Sequence, residues 1–157
     1  MVTSRPHLLL SVAMSIDDMR NARLMLSNEA DFDRVDEIRA GVDAILVGAN
    51  TIRRDNPRLL VRSAPRRRER VQRGVAEHPM KVERLMVESG SAVHTQFLTA
   101  GLVDEIHLVI APFFVGDPEA PRFVHPGRFP QNPEHPMTLA EARQIGNEVL
   151  LRYVSAS

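Results

Sequence analysis

The chain has 157 residues, 43% of them hydrophobic and 25% charged, with 20 basic side chains balanced by 20 acidic ones. That length suits one domain with a single core, and the balanced charge provides no global field to recruit nucleic acid or an anionic membrane. With no cysteine and six scattered histidines, thiol nucleophiles, disulfides and thiolate metal sites are excluded and no metal centre is expected.

The first apolar run, around Leu8-Leu9-Leu10, is too short to span a bilayer and meets Asp17 and Asp18 too soon for a secretion signal. A cytoplasmic location is the expectation. His7 to Met14 reads as a central strand that ends in the polar turn Ser15 to Asp18. Asn28 is placed to cap a helix, with Asp31 at N3. Phe32, Val35 and Ile38 form its inward stripe, and Gly41 closes it. Ala44 to Val47 is a short buried strand ending at Gly48. A dense polar loop follows, from Asn50 and Thr51 through Arg53, Arg54, Asp55 and Asn56 to Pro57. A strand end that opens into such a loop is where open α/β sheets place ligands.

Arg66 to Arg70 with Arg73 forms a basic run without aromatic residues. This favours a solvated loop, assisted by a phosphate-bearing ligand, over a nucleic-acid surface. Arg84 to Glu88 is a second buried strand, and Ser89-Gly90-Ser91 is a turn in which Ser91 caps the next helix. That helix runs to about Ala100, turns Val93, Phe97 and Leu98 inward and stops at Gly101; backbone amides at its start suit a phosphate. Asp104 to Pro112 is a mostly buried strand. Seven of the eleven prolines then fall between Pro112 and Pro136, which marks a long ordered arm held by Phe113, Phe114, Phe123 and Phe129. Thr138 to Ile145 and Glu148 to Val154 flank Gly146-Asn147 and read as an antiparallel hairpin. The class is α/β, with a mixed sheet.

These residues carry a resemblance. Pro6-His7, Ser11 to Asp17, Asp43 to Gly48 with Thr51, Asp55-Asn56-Pro57-Arg58-Leu59, Val87-Glu88-Ser89-Gly90, Phe97-Leu98, Val103-Asp104-Glu105, Ala111-Pro112 and Gly116 together resemble the reductase domain of riboflavin biosynthesis. The resemblance implies a dihydrofolate-reductase-like three-layer fold, a mixed sheet between helices with a C-terminal antiparallel hairpin. It also implies NADPH-dependent reduction of 5-amino-6-(5-phosphoribosylamino)uracil to the ribitylamino product, and a homodimer built on Asp104 to Pro112 and the arm from Phe113 to Phe129. By the same resemblance Asp55 and Glu88 are the catalytic candidates. Arg39, Asp55, Leu59, Arg62 and Glu88 become substrate contacts, and Gly48, Thr51, Ser89, Gly90 and Ser91 cofactor contacts.

Three departures from the family pattern stand out. Asp18 replaces a glycine after the first strand, and Ser89-Gly90-Ser91 replaces a run of glycines. The chain also passes directly from Lys81 to Val82, where family members carry several dozen further residues. It is therefore expected to be a single domain over 1–157 lacking a family segment at 81–82. Two alternatives follow: a catalytically inactive, dimeric ligand-binding relative, or a reductase of the same fold acting on another pyrimidine or pteridine.

Overall fold

The alternation of Leu8, Leu10 and Val12 with Leu9, Ser11 and Ala13 creates a strand with two different faces, and the molecule is layered around it. The computed structural model describes residues 5–17, 26–72 and 81–155, with the side chain of Asp55 outside the described set. In chain order the elements are β1 (His7–Met14), α1 (Glu29–Gly41), β2 (Ala44–Val47), α2 (Ala49–Asp55), α3 (Ala64–Gln72), β3 (Arg84–Glu88), α4 (Ser91–Thr99), β4 (Glu105–Ile110), β5 (Thr138–Ile145) and β6 (Glu148–Val154).

The six strands form one sheet in the order β2-β3-β1-β4-β6-β5. β2, β3, β1 and β4 are parallel, with Leu10 opposite Val87 on one side and Ile106 on the other. β6 returns antiparallel to β4, and β5 antiparallel to β6. Gly146 makes the hairpin turn with φ 61°, the left-handed conformation that glycine adopts without strain.

Leu8, Leu10, Val12, Val87 and Ile106 pack on one face with Leu98 of α4, and Phe123 and Phe129 of the arm join them. On the opposite face α1 lies over Ser11 and Ala13. The connection after β1 thus leaves on one face and the connection after β3 on the other. Neighbouring strands whose connections diverge in this way open a crevice at their C-terminal ends.

Several expectations need correction. The polar stretch after Gly48 is the short helix α2, stopped by Asn56 in the left-handed conformation (φ 39°), and Arg66 to Arg70 of the basic run lie in helix α3, Arg73 lying outside the described residues. α3 is helical because Arg66 and Arg70 are tied down: Arg66 pairs with Asp33 at 2.6 Å and Asp36 at 3.2 Å, and Arg70 donates to the Arg39 and Asp43 carbonyls. The most buried residues of α1 are Asp31, Arg34, Asp36 and Ala40, while Phe32, Val35 and Ile38 are only half-buried. Gly90, not Ser91, is the N-cap of α4, and the Ser91 hydroxyl donates to the Arg122 carbonyl instead. β4 is paired on both sides inside the sheet, with β1 and with β6. Lys81 lies outside any strand, and Pro79, Met80 and Asp18 lie outside the described residues.

Candidate active site

The crevice between β1 and β3 is closed by α1, and a cavity of about 270 Å³ remains there. Asn28 fixes where α1 begins: its Oδ1 accepts from the Asp31 amide at 2.9 Å, and its Nδ2 donates to the Ile145 carbonyl at 2.8 Å. The cap therefore anchors the helix to the hairpin end of the sheet as well as satisfying a free amide. Because α1 is set in this register, Arg39 in its last turn reaches Glu88 at the end of β3. Arg39 Nη2 donates to Glu88 Oε2 at 2.7 Å and Nε to Oε1 at 3.2 Å. This two-pronged pair holds both side chains in one plane at the cavity wall.

Arg62 completes the group. Its guanidinium stands 5.3 Å from the centre of the Phe32 ring, an attractive cation–aromatic arrangement. Its amide and that of Ser63 donate to Asp36. Burial alone would raise the pKa of Asp36, but the two amides and the Arg66 guanidinium outweigh it and hold the carboxyl below its ordinary value. Arg39, Arg62 and Glu88 all line the cavity. Three residues expected from the sequence are thus brought together from α1, the segment after α2 and β3.

The remaining expected residues lie around them. Asp55 ends α2, and Leu59 is half-buried in the segment that leads to Arg62. Gly48 and Ser89 close the C-terminal ends of β2 and β3, and they approach so closely that a Cβ on Gly48 would stand 2.5 Å from Ser89 Oγ. Thr51 lies in the first turn of α2. Gly90 faces open space, with nothing within 4 Å of a Cβ placed there, and α4 starts without a side-chain cap. His94 is fully buried behind this turn, with Nδ1 3.1 Å from the Phe123 carbonyl. Burial pushes its pKa down, so it is neutral at pH 7.

The site contains two residues that sequence reasoning missed. Asp31 and Arg34 line the same cavity, and Arg34 Nε donates to Asp31 Oδ1 at 2.7 Å. Arg34 Nη1 lies 3.1 Å from His107 Nδ1, and His107 Nε2 lies 2.7 Å from Glu105 Oε1. An arginine always donates, so Nδ1 of His107 accepts and Nε2 carries the proton toward Glu105. The only sequence signal was the three-residue spacing of Asp31 and Arg34, which is ordinary for an exposed helix pair. Among the described residues no group of three or more His, Cys, Asp or Glu is arranged to hold a metal, and no helix is long and apolar enough to cross a membrane.

Comparison with known proteins decides the family: residues 6–83 and 77–151 match the RibD C-terminal domain family. The chain belongs to that family. It is 30% identical over 177 aligned residues to a 2,5-diamino-6-ribosylamino-4(3H)-pyrimidinone 5′-phosphate reductase of Methanothermobacter thermautotrophicus, an alignment covering 74% of this chain and 82% of that protein. A reductase of the same description from Archaeoglobus fulgidus is 26% identical over 186 residues, covering 74% of this chain and 85% of the relative. Among solved structures, Acinetobacter baumannii RibD superposes with a TM-score of 0.77 at 18% identity over 97% of this chain; the chain spans 58% of that protein. A pyrimidine reductase-like protein of Corynebacterium diphtheriae gives a TM-score of 0.72 at 18% identity, over 97% of this chain and 92% of its own length. The fold is accordingly the dihydrofolate-reductase-like one.

Proposed function

We propose that this protein is a reductase of a 6-ribosylaminopyrimidine 5′-phosphate in riboflavin biosynthesis and uses NADPH. The observation that carries the reading is the convergence of Arg39, Arg62 and Glu88 on one cavity at the β1–β3 crevice. Two arginines of different exposure suit a phosphate at the cavity mouth, because guanidinium forks match phosphate oxygens. Glu88 holds Arg39 in place until the ligand arrives. By family resemblance Asp55 takes the sugar end, where the carbon to be reduced must be aligned.

The residues present fit a phosphate of the cofactor. The uncapped start of α4, the open space at Gly90 and the close Gly48–Ser89 approach form a turn suited to a phosphate, with Thr51 on the helix that follows Gly48. Ser91 contributes there through its amide, since its hydroxyl is spent on Arg122. When bound, the nicotinamide supplies the hydride. The chain's own residues bind the phosphate, orient the sugar and exclude water.

We read residues 1–157 as one domain that lacks a family segment near 81–82. Two features support this: the family match comes in two parts that meet at 77–83, and the alignment to the M. thermautotrophicus reductase is longer than the whole chain although it uses only part of it. The same features favour a second reading, a relative that binds the substrate without reducing it. A homodimer in the cytoplasm completes the proposal.

The test is NADPH oxidation with the ribosylaminopyrimidine phosphate, alongside NADPH binding followed by fluorescence. Arg62→Ala is expected to weaken substrate binding by about 1.5–3 kcal/mol, the loss of one charge-assisted contact, with a smaller effect on turnover. Asp55→Asn should lower kcat more than cofactor affinity. Substrate binding without NADPH binding or turnover would establish the second reading in place of the first.

A further inference from the structure

We propose that His94 is the positioning residue of the turn Ser89 to Ser91, and that it takes up a proton when the phosphate of the cofactor binds there. The inference rests on the reading of that turn as the seat of the cofactor phosphate, and it names the group of this chain that answers the phosphate charge. His94 is the fourth residue of α4, and its amide donates to the Gly90 carbonyl at 3.1 Å. Helical side chains lean toward the helix N-terminus, so the ring lies beneath the turn. It is 0% exposed. Three residues on one face of α4 stitch the arm to the helix. The Ser91 hydroxyl donates to the Arg122 carbonyl, His94 Nδ1 stands 3.1 Å from the Phe123 carbonyl, and the Thr95 hydroxyl accepts from the His125 amide at 2.8 Å. The Phe123 ring also meets the imidazole edge-on, with the ring centres 5.3 Å apart. The imidazole is thereby fixed between the arm and the turn.

A carbonyl only accepts, so Nδ1 carries the single proton of the neutral ring and Nε2 is left as an acceptor. Nε2 is buried and has no hydrogen-bond partner. The Ser89 carbonyl also acts on the ring. Both carbonyls favour the charged form, against the larger cost of burial that keeps it neutral. The ring thus meets two acceptors with one donor. A proton on Nε2 would remove the unpartnered lone pair, and what opposes it is an uncompensated charge in the interior. A phosphate dianion at the start of α4 supplies the compensating charge, and Gly90 leaves it open space to approach. Other ionisable groups around the ring do not take this role. α4 carries no acidic or basic residue besides His94, and no charged side chain contributes to the ionisation of the ring. Glu88 at the end of β3 is held by Arg39, while Arg122 and His125 of the arm are exposed.

The experiment is calorimetric titration of the whole chain with NADPH at pH 7 and pH 8, in two buffers of different ionisation enthalpy, which counts the protons taken up on binding. The wild type is expected to take up as much as about one proton, and to bind NADPH about threefold to tenfold more tightly at pH 7 than at pH 8. A 2′-phosphate bound as a dianion can only release protons over this range, so the sign separates the protein's contribution from the ligand's. His94→Gln, which is neutral and keeps a donor for one carbonyl, should abolish the uptake and flatten the pH dependence. His125→Gln should keep both. Protons counted per NADPH bound are not moved by general damage to the fold, which separates this role from a structural one. NMR of the histidine rings reads the same change in the wild type alone: one ring that is neutral at pH 7 in the free protein becomes protonated with NADPH. No uptake by the wild type, uptake that survives in His94→Gln, or uptake lost in His125→Gln overturns this inference and leaves the cofactor reading standing. Absence of NADPH binding overturns both.

Discussion

Glu105 and Glu148 alternate onto the same sheet face as Arg152, yet their surroundings drive them in opposite directions. The hydrogen bond from His107, against the cost of burial and with help from Arg152 and His7, pushes the Glu105 carboxyl down to about 2. Its folded pKa lies below its unfolded one, so its contribution to stability is complete above about pH 4.5 and is lost as pH falls toward 2. Glu148 is raised, first by burial and then by the charge of Asp31, while the Asn28 amide and Arg34 oppose the rise; its Oε2 has no hydrogen-bond partner. The linkage therefore has the opposite sign. Below the unfolded pKa the proton removes the penalty, and as pH rises through the folded pKa the penalty appears. Glu148→Gln is expected to stabilise the protein at pH 7 by about 1 kcal/mol, the scale of a buried polar atom left unpaired, and to have no effect at pH 4. Thermal unfolding at the two pH values checks this, and a lower Tm than wild type at pH 7 would refute it. At this scale the sequence was partly legible. Arg39, Arg62 and Glu88 could be placed by resemblance, whereas Asp31 and Arg34 could not, because the partner that makes their burial tolerable is His107, 73 residues from Arg34.

Among the elements, α1 depends most on its neighbours. It buries charge instead of an apolar stripe, so it is held by specific bonds more than by hydrophobic area. Periodicity predicted the helix and both its ends correctly but turned the wrong residues inward, since the pattern records only where apolar residues fall. The same limit explains α2 and α3, whose polar and basic composition resembles loops until the pairing of Arg66 with Asp33 and Asp36 is seen. The hairpin's two strands and turn were legible because the two-residue turn is local, whereas the register shift between Leu139 and Glu141 was not. The cap of α1 and that turn form one joint. A Cβ on Gly146 would stand 2.7 Å from Asn28 Nδ2, and φ there is 61°. Gly146→Ala therefore strains the backbone and displaces the capping side chain. A loss of about 1–2 kcal/mol is expected by urea unfolding. Gly41→Ala, which meets nothing within 4 Å at the end of α1, should leave stability level or slightly raised. Equal costs at the two positions would show that the joint contributes nothing.

For the whole molecule, composition and element order made a mixed α/β sheet legible, but not the strand order, which depends on pairings between residues far apart in sequence. Nor could the sequence show which apolar surface the single chain leaves uncovered. Phe114 is 70% exposed and Ile16 50%, although Phe123 and Phe129 of the same arm pack into the core. These exposed groups are not on a loose loop. The Ile16 amide donates to the Phe113 carbonyl at 3.0 Å, and Asp17 accepts from Ser15 Oγ, the Val115 amide and the Gly116 amide at 2.6, 2.9 and 2.8 Å. Those bonds, the Ser15 hydroxyl foremost, hold the Asp17 carboxyl well below the usual carboxylate range. The backbone on both sides of Phe114 is thus held in place, and the exposed Phe114 and Ile16 offer apolar surface to a partner. The proposed two-fold dimer uses this end of the arm, with Phe114 of each copy near the axis, where a self-complementary contact has its apolar centre. Light scattering at micromolar concentration should report a dimer for the wild type and a monomer for Phe114→Ser, with the circular dichroism spectrum unchanged. A monomeric wild type, or a dimer that survives Phe114→Ser intact, would rule this surface out.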